Sequence, residues 1–266
     1  MKISTCNVNG VRAAARKGLA DWLATEAPDV LLLQEVRAEP EITEGILGPQ
    51  WELFSEPSRI KGRAGVAIAV RRGALSIVDV RHGLDDQESE ADSGRWIEAA
   101  LSAGSESCRL VSAYFHSGEK GTVRQDAKMA HMPRIATRMG ELLSEGGKTL
   151  VCGDFNIVRS KSDIKNWTPN HNKRAGVLDE EIAFLEEWLD AGWHDVVREL
   201  AGEVQGPYSW WSQRGKAFDN DTGWRIDYHF ATPAMASAAR DFVIGRAPSY
   251  DSRFSDHAPV TVSYSF

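Results

Sequence analysis

The sequence has few cysteines and no long apolar run. Its three cysteines, Cys6, Cys108 and Cys152, lie in separate strand-like apolar runs, and none belongs to a Cys-x-x-Cys pair. This usage favours core thiols in a reducing cytoplasm over a disulfide framework or a zinc site. No apolar stretch approaches the roughly 20 residues that span a bilayer, and Met1 to Thr5 enters a predicted strand directly. We therefore predict a cytoplasmic protein with no membrane partner.

The chain also lacks an excess of positive charge. Lys and Arg number 31 against 38 Asp and Glu, which gives a net charge of -7. An acidic chain attracts nucleic acid only through a local basic patch, and clustered carboxylates of a metal site would also make the total acidic. The segment 158–177 is such a basic patch, because it carries five basic residues against one acid. Net charge alone therefore does not decide the class of partner.

The sequence shows no internal repeat, low-complexity tract or linker. Hydrophobic residues make up 42% of the chain, which is enough for a substantial core. Strand patterns alternate with helical ones from end to end, so we predict a single α/β domain over residues 1–266. Predicted strands span residues 2–8, 30–33, 65–70, 75–80, 95–101, 109–115, 149–152 and 260–264. Predicted helices span 11–24, 122–145 with a break at Pro133, and 179–191 with Asp179 as its cap.

The stretch from Lys148 to Asn156 is the centre of the functional argument. Its apolar run predicts a buried strand that Gly153 ends, and Asp154 and Asn156 follow at alternate positions. In an extended backbone both side chains would point to the same side, at the strand end where ligands usually sit in α/β proteins. A plain turn explains the same residues equally well, since Gly, Asp and Asn are common turn residues.

Further polar residues lie at the ends of other predicted strands and favour a functional site: Asn7, Asn9, Glu35, Tyr114, Asp227, Asp256 and His257. Carboxylate and amide oxygens together suit Mg²⁺ or Mn²⁺ rather than zinc. A carboxylate beside His257, either Asp256 or Asp227, would orient the imidazole and stabilise its protonated form. Such a set could hydrolyse a phosphodiester, although each member alone has a structural explanation.

Six ordered motifs resemble those of the exonuclease III family, which contains bacterial DNA-repair nucleases and abasic-site endonucleases of the endonuclease/exonuclease/phosphatase superfamily. The motifs are Asn7-Val8-Asn9-Gly10-Val11-Arg12-Ala13, Leu33-Gln34-Glu35, Tyr114-Phe115, Gly153-Asp154-Phe155-Asn156, Gly223-Trp224-Arg225-Ile226-Asp227-Tyr228 and Ser255-Asp256-His257-Ala258-Pro259. They follow the family order and cover essentially the whole chain.

The resemblance implies a deoxyribonuclease I-like fold, a four-layer α/β sandwich in which two packed mixed β-sheets are flanked by helices. It implies an Mg²⁺-dependent nuclease, with Mn²⁺ as a possible substitute, that acts as a monomer on double-stranded DNA. The expected activities are abasic-site endonuclease, 3′-to-5′ exodeoxyribonuclease, and 3′-end-cleaning phosphodiesterase or phosphatase.

The resemblance also implies a role for each matching residue. The metal environment would comprise Glu35 as principal ligand, with Asn7 and Asp256 in support. Asp154 would position or deprotonate the attacking water with help from Asn156, while Asp227 would hold His257. His257 and Tyr114 would contact the scissile phosphate.

Two further groups would bind DNA. Trp210, Trp224 and Ile226 match an apolar pocket for a base-free sugar, which would exclude an intact base. Backbone contacts would come from Arg12, Arg95, Lys173 and Arg174.

The sequence departs from the family pattern in two places. His116 stands where many relatives have proline, and Ser117 replaces the Asn or Gln often found next. The loop from Asn166 to Gly176 is one residue longer than the family pattern, and Arg174 stands in it where Asn is common. Because such loops set the balance among the activities, the sequence does not predict which one dominates.

Two other functions remain open at this point. One is a superfamily phosphatase or phosphodiesterase that acts on small phosphate esters. The other is a catalytically silent relative that binds nucleic acid for regulation. A silent relative is expected to have lost site residues, whereas Glu35, Asp154, Asn156, Asp227 and His257 are all present here.

Overall fold

The computed structural model describes residues 1–73 and 75–265. Its strands are β1 (Lys2–Asn7), β2 (Val30–Gln34), β3 (Trp51–Glu56), β4 (Val66–Arg71), β5 (Ser76–His82), β6 (Trp96–Ala103), β7 (Glu106–Tyr114), β8 (Thr149–Asp154), β9 (His194–Asp195), β10 (Asp227–Ala231), β11 (Ala239–Ile244) and β12 (Val260–Tyr264). Its helices are α1 (Val11–Ala15), α2 (Leu19–Glu26), α3 (Pro40–Leu47), α4 (Val123–Glu145), α5 (Trp167–Asn170), α6 (Asp179–Ala191), α7 (Val196–Ala201) and α8 (Pro233–Ala236).

These strands form two six-stranded mixed sheets. The first has the order β11-β12-β1-β2-β4-β3, and the second has the order β5-β6-β7-β8-β10-β9. In the first sheet β1 is parallel to β2 and antiparallel to β12. In the second sheet β8 is parallel to β7 and antiparallel to β10. β1 and β8 are therefore each flanked by one parallel and one antiparallel strand. β1 ends at Asn7 and β8 ends at Asp154, both of which are predicted site residues.

A shared apolar core holds the two sheets face to face. It includes Ile3 and Leu32 from the first sheet and Leu110 and Leu150 from the second, all fully buried. Burying each side chain of this size stabilises the fold by about 1.5–3 kcal/mol. This common core supports the prediction of one domain, which a single cooperative unfolding transition would test.

Helices cover the outer faces of both sheets. Leu31 and Leu33 of β2 share one apolar cluster with Leu19 of α2. Val111 of β7 shares another with Met139 of α4. Alternate residues of one strand face the inner core and the outer helices, so these strands are apolar on both faces. The four-layer α/β sandwich is thus confirmed.

Three predictions about helices were wrong. The predicted helix over 11–24 is two helices, because Gly18 adopts the left-handed conformation, with φ of 105°, before α2 begins. Pro133 does not break α4, because buried residues on both sides of it, including Met132 and Ile135, pack that helix against the second sheet. Asp179 is the first residue of α6 rather than its cap, which is Leu178.

Gly153 lies within β8 and does not end it. Its φ is 143°, and a Cβ atom there would collide with the carbonyl oxygen of Ala113 on β7. Glycine is therefore required by the close approach of two backbones. This approach brings Asp154 beside the end of β7.

Within the described residues, no helix is long and apolar enough to cross a membrane.

Candidate active site

Sheet register places three of the predicted catalytic residues side by side. Tyr114 at the end of β7 pairs with Asp154 at the end of β8, and Asp154 pairs with Asp227 at the start of β10. Asp154 and Asp227 are each only 1% exposed. Two carboxylates buried this deeply require hydrogen-bond donors or positive charge beside them.

Asp227 binds His257. The imidazole Nδ1 lies 2.9 Å from Oδ2 of Asp227 and 3.1 Å from Oδ1. Ser209 donates a hydrogen bond of 2.6 Å from Oγ to Oδ2 and fixes the carboxylate. Nε2 of His257 lies on the other side of the ring, 3.7 Å from Oδ2 of Asp154. The predicted Asp227–His257 contact is therefore present, and Ser209 is a positioning residue that sequence reasoning missed.

The charge on His257 is set by its neighbours. Burial alone would lower its pKa, but the negative charges of Asp227 and Asp154 outweigh burial and raise the pKa to about 10. The imidazole is therefore protonated at neutral pH, so both ring nitrogens are donors. A protonated His257 can donate to a phosphate oxygen and does not act as a base.

Asp154 has the properties of a base near neutral pH. Its Oδ2 accepts hydrogen bonds from Nδ2 of Asn7 at 2.8 Å and from Nδ2 of Asn156 at 3.1 Å. Burial is the main reason that its pKa is raised to about 7. The positive charge of His257 opposes this shift, and the negative charges of Asp227 and Glu35 add to it. A carboxylate that ionises near pH 7 has the proton affinity that general base catalysis requires.

Asp154 and Asn156 come together through a turn, not through an extended backbone. Asn156 has a φ of 52°, in the left-handed region, and its backbone N–H donates to Oδ1 of Asp154 at 2.9 Å. The reason given for their proximity was therefore wrong, although the proximity itself is observed. Gly153 to Asn156 therefore form a turn and also part of the candidate site, so the interpretation as a turn and the interpretation as a functional site do not exclude each other.

A buried ion pair supports this turn from behind. Lys128 of α4 is 1% exposed and donates from Nζ to the carbonyl oxygen of Asn156 at 2.9 Å. The same ammonium lies 2.8 Å from Oε1 of Glu181 on α6, which is fully buried. Sequence reasoning missed this pair because both residues lie on amphipathic helices, where charges are usually solvated.

Glu35 follows β2 and lies beside Tyr114 and Asn7. Its Oε1 accepts a hydrogen bond of 2.6 Å from the Tyr114 hydroxyl and one of 3.1 Å from Nδ2 of Asn7. Arg37 forms an ion pair with Oε2. Glu35 has a φ of 49°, a conformation that costs energy for a residue with a side chain and is common at functional sites. Asn7 thus bridges Glu35 and Asp154, one from each sheet.

Asp256 belongs to the same network through other partners. Nδ2 of Asn9 donates to its Oδ1 at 2.8 Å, and Nε1 of Trp210 donates to its Oδ2 at 3.2 Å. Burial would raise the pKa of Asp256, but His257 and these donors lower it below its usual value. Asp256 is therefore ionised at neutral pH.

The predicted apolar group is assembled next to His257. Trp210 and Trp224 are half-buried and pack edge to face with 5.4 Å between ring centroids. Ile226 belongs to a buried apolar cluster, and Trp210, Trp224 and Trp167 all pack against that cluster. The Trp210 ring is 6.4 Å from the His257 ring. Trp167, the first residue of α5 in the loop from Asn166 to Gly176, was not predicted.

The predicted basic residues occupy two separate regions. Arg95 stacks over the Tyr114 ring, with 4.8 Å from its guanidinium carbon to the ring centroid, and lines a cavity of about 690 Å³ with Glu35 and Tyr114. Arg12 donates to the backbone carbonyl of Arg37 at 3.4 Å at the edge of this region. Three more arginines that sequence reasoning missed line the cavity: Arg37, Arg63 and Arg124.

Lys173 and Arg174 lie instead in the exposed loop between α5 and α6. Nζ of Lys173 donates to the carbonyl oxygen of Thr168 at 3.3 Å. Contact of Lys173 and Arg174 with DNA therefore stays a prediction.

Comparison with known proteins agrees with this architecture. Residues 4–257 match the model of the Endonuclease/Exonuclease/phosphatase family. The chain is 30% identical over 262 residues to an exodeoxyribonuclease of Bacillus subtilis, with 98% of both chains covered. It is 31% identical over 267 residues to a DNA repair nuclease of Danio rerio, with 98% of this chain and 81% of the relative covered.

Solved structures give the same result. An AP endonuclease from Archaeoglobus fulgidus superimposes with a TM-score of 0.85 at 25% identity, over 100% of both chains. A 3′ phosphatase from Neisseria, bound to a product DNA hairpin, gives a TM-score of 0.85 at 27% identity, also over 100% of both chains. The strand-end carboxylates, the Asp227–His257 pair and these full-length matches lead to one conclusion: the chain belongs to the Endonuclease/Exonuclease/phosphatase family, with relatives named exodeoxyribonuclease III and AP endonuclease.

Proposed function

We propose that this protein is an Mg²⁺-dependent DNA-repair nuclease that hydrolyses phosphodiesters of duplex DNA at abasic sites and at 3′ ends. The observation that carries the proposal is the arrangement of Asp154 between Asn7 and protonated His257, with Asp227 in register beside it. A carboxylate that ionises near pH 7 and a cationic imidazole 3.7 Å away are the acid-base pair that water attack on a phosphate requires.

The residues present fit a divalent cation with oxygen ligands. Glu35, Asn7 and Asp256 supply carboxylate and amide oxygens, the donor types that Mg²⁺ prefers over zinc. The charges of Glu35 and Asp227 already raise the pKa of Asp154, so a bound cation would reduce the repulsion among these carboxylates. When bound, the ion would neutralise phosphate charge and stabilise the leaving oxygen.

The protein residues would orient the substrate and transfer the proton. Asp154 would accept the proton of the attacking water, and Asn156, hydrogen-bonded to it at 3.1 Å, would orient that water. His257, held by Asp227, would donate to a phosphate oxygen from one side. Burial and the adjacent Glu35 raise the pKa of Tyr114, so its hydroxyl stays protonated and can donate from the other side. These groups supply positioning and charge stabilisation, the chief needs of phosphoryl chemistry.

The substrate class is proposed from the surroundings of this centre. Trp210, Trp224 and Ile226 would form the apolar wall that accepts a base-free sugar. Arg12 and Arg95 would contact the DNA backbone beside Glu35 and Tyr114, as would Lys173 and Arg174 from their loop. The relatives named exodeoxyribonuclease and DNA repair nuclease support this substrate class.

The proposal includes a cytoplasmic location and a monomeric state. Cys6, Cys108 and Cys152 are buried and unbridged, as expected in a reducing cytoplasm. We further propose a monomer, which light scattering of the purified protein would test.

The direct test uses a labelled duplex with one abasic-site analogue and, separately, an undamaged duplex with a recessed 3′ end. We expect incision at the lesion with Mg²⁺ and none with EDTA. The ratio of the two activities would identify the main task. If the folded protein cleaves neither duplex but releases phosphate from small phosphate esters, the DNA proposal is wrong. If it binds the duplex without cleaving any substrate, a silent binder is the better description.

The role of Glu35 gives a separate prediction. We expect Glu35→Gln to raise the Mg²⁺ concentration needed for half-maximal activity by about tenfold or more, because one charged ligand oxygen becomes a neutral amide. The measurement is a titration of incision rate against Mg²⁺, with exposed Glu187→Gln as the control. An unchanged Mg²⁺ requirement would refute the metal-ligand role.

The apolar wall gives another prediction. We expect Trp224→Ala to lower abasic-site incision by about tenfold or more and 3′-end digestion by less than about threefold, because only the lesion sugar would enter this pocket. Both rates are measured on matched duplexes, with Trp22→Ala as the control, since Trp22 and Phe254 belong to a different apolar cluster from Trp224. Equal losses in both assays would indicate a fold defect instead of lesion recognition.

A further inference from the structure

A second group of buried ligand-type side chains lies outside the catalytic residues. Asp92, His116 and His131 each offer one ligand atom, and these atoms all lie within 4.8 Å of one another. Asp92 lies between β5 and β6, His116 follows β7, and His131 lies within α4. We call these three residues the His116 cluster. It joins three segments that are distant in sequence, and it includes a residue at which the chain departs from the family pattern.

His131 lacks the partners that a buried histidine normally has. His131 is only 3% exposed. Among the described residues, neither of its ring nitrogens has a hydrogen-bond partner. Buried polar atoms in proteins are nearly always hydrogen-bonded, so two such nitrogens on one ring need a specific explanation. Metal coordination would use the lone pair of one of them.

The other two residues contact each other, and His116 also packs against His131. Nε2 of His116 lies 2.8 Å from Oδ1 of Asp92, and the His116 and His131 rings are nearly perpendicular, with centroids 5.3 Å apart. Oδ2 of Asp92 accepts hydrogen bonds from Ser89 at 2.7 Å and from Arg134 at 3.0 Å. Such outer partners hold a ligating carboxylate in a fixed orientation in metal sites.

The electrostatic environment leaves both imidazoles neutral. Burial and the positive charge of Arg95 lower the pKa of His116 to about 4, and burial lowers the pKa of His131 to about 3. Neither ring therefore carries a second proton at pH 7. Coordination through Nε2 of His116 would move the Nε2 proton, which faces Oδ1 of Asp92, to Nδ1 of the same ring. The charge of Arg134 is balanced by Asp85, which accepts two hydrogen bonds from it, at 2.8 and 2.5 Å.

We propose that the His116 cluster binds a transition-metal ion, with Zn²⁺ the best match, through Nε2 of His116, one ring nitrogen of His131 and Oδ1 of Asp92. Two imidazoles and one carboxylate suit Zn²⁺, whereas Mg²⁺ prefers oxygen ligands alone. His116 also lines the cavity that contains Glu35 and Tyr114, which gives the ion a route in from solvent. The bound ion would cross-link the 83–95 segment, the end of β7 and α4.

This proposal does not depend on the proposed nuclease function. Zinc could also bind to the catalytic group Asp154, Asp227 and His257 or to the proposed Mg²⁺ ligands Glu35, Asn7 and Asp256. Zinc binding is therefore measured in the presence of excess Mg²⁺, in the Asp154→Asn protein as well as in the wild type. We expect one Zn²⁺ per chain in the Asp154→Asn protein by equilibrium dialysis. We also expect a rise in unfolding temperature of roughly 5 °C at zinc concentrations far above the dissociation constant.

Substitutions then assign the ligands. In the Asp154→Asn background we expect His131→Ala and His116→Ala each to weaken Zn²⁺ binding by about 10- to 100-fold or more. His194→Ala is the matched control, because His194 is on the surface and pairs with Glu199. Co²⁺ in place of Zn²⁺ should give the visible absorption of a tetrahedral site, and His131→Ala should abolish it.

Two results would overturn the proposal. The first is the absence of stoichiometric Zn²⁺ binding in the Asp154→Asn protein. The His116 cluster is intact in that protein, so a fold defect in the cluster would not explain this result. The second is undiminished binding in His131→Gln, a variant that keeps a polar side chain and whose folding is checked by circular dichroism.

Discussion

Replacing Asp154 with asparagine should slow phosphodiester cleavage by about 10²- to 10⁴-fold, the usual contribution of a general base. Asparagine keeps the size of the side chain and one acceptor oxygen for the donors Asn7 and Asn156. It removes the negative charge and the proton affinity that the proposed mechanism needs. The rate is measured under single-turnover conditions with saturating Mg²⁺, and exposed Asp251→Asn is the matched control.

The same substitution has a predicted signature in pH dependence. The pKa of Asp154 is about 7, so kcat/KM of the wild type should rise as pH increases toward and through neutrality. Bound Mg²⁺ would move this rise to lower pH. Asp154→Asn should lack the rise altogether. A variant that kept the wild-type pH profile would show that another group accepts the proton.

Stability distinguishes this loss of activity from a loss of fold. Because burial raises the pKa of Asp154 from 3.8 to about 7, the folded protein binds more protons than the unfolded chain between these values. Stability therefore falls as pH rises through that window, and the penalty is fully present above pH 7. Asparagine does not carry this penalty, so we expect the unfolding temperature of Asp154→Asn at pH 8 to equal or exceed that of the wild type.

Replacing Arg225 with methionine should lower the free energy of unfolding by about 3–5 kcal/mol. Arg225 is fully buried, and in the sequence it stands between Trp224 and Ile226 of the candidate pocket. Its Nε donates to Asp163 at 2.6 Å, and its two terminal nitrogens bind both oxygens of Asp195 at 2.9 and 2.7 Å. Methionine fills similar space but leaves two buried carboxylates without their main partner.

The measurement is urea unfolding at pH 7, with exposed Arg240→Met as the control. Adding Asp195→Asn to Arg225→Met should restore part of the loss, since one unpaired charge is then neutral. The pKa of Asp163 gives a pH test. Burial would raise this pKa, but Arg225, together with hydrogen bonds from Ser160 and Arg198, lowers it to about 2. The stability from this shift is present above pH 4 and is lost as pH falls toward 2, and Arg225→Met should reduce this dependence. A loss no larger than that of Arg240→Met would show that the ion network is not needed.

The sequence predicted the fold class and most site residues because the relevant signals are local. Unbroken apolar runs predict buried strands, and polar residues directly after them lie at a sheet edge. Thus Glu35 after β2, Tyr114 at the end of β7 and Asp154 at the end of β8 were found without any knowledge of strand pairing.

The geometry that makes these residues a site depends on pairing that no local pattern contains. The register Tyr114–Asp154–Asp227 joins β7, β8 and β10, whose residues are up to 113 positions apart in the numbering. The left-handed conformation of Asn156 depends on its hydrogen bonds to Asp154 and on the support of Lys128. Tertiary packing likewise overrides the local preference of Pro133 to end a helix.

The central claim is that Asp227 acts through His257 as one catalytic unit, and a double-mutant cycle tests it most directly. Single-turnover incision of an abasic duplex is measured for the wild type, Asp227→Asn, His257→Gln and the double variant. We predict that the double variant is about as slow as the slower single variant, because removing either partner already disables the pair. If the two losses multiply instead, Asp227 and His257 act independently, and the account of the site is wrong.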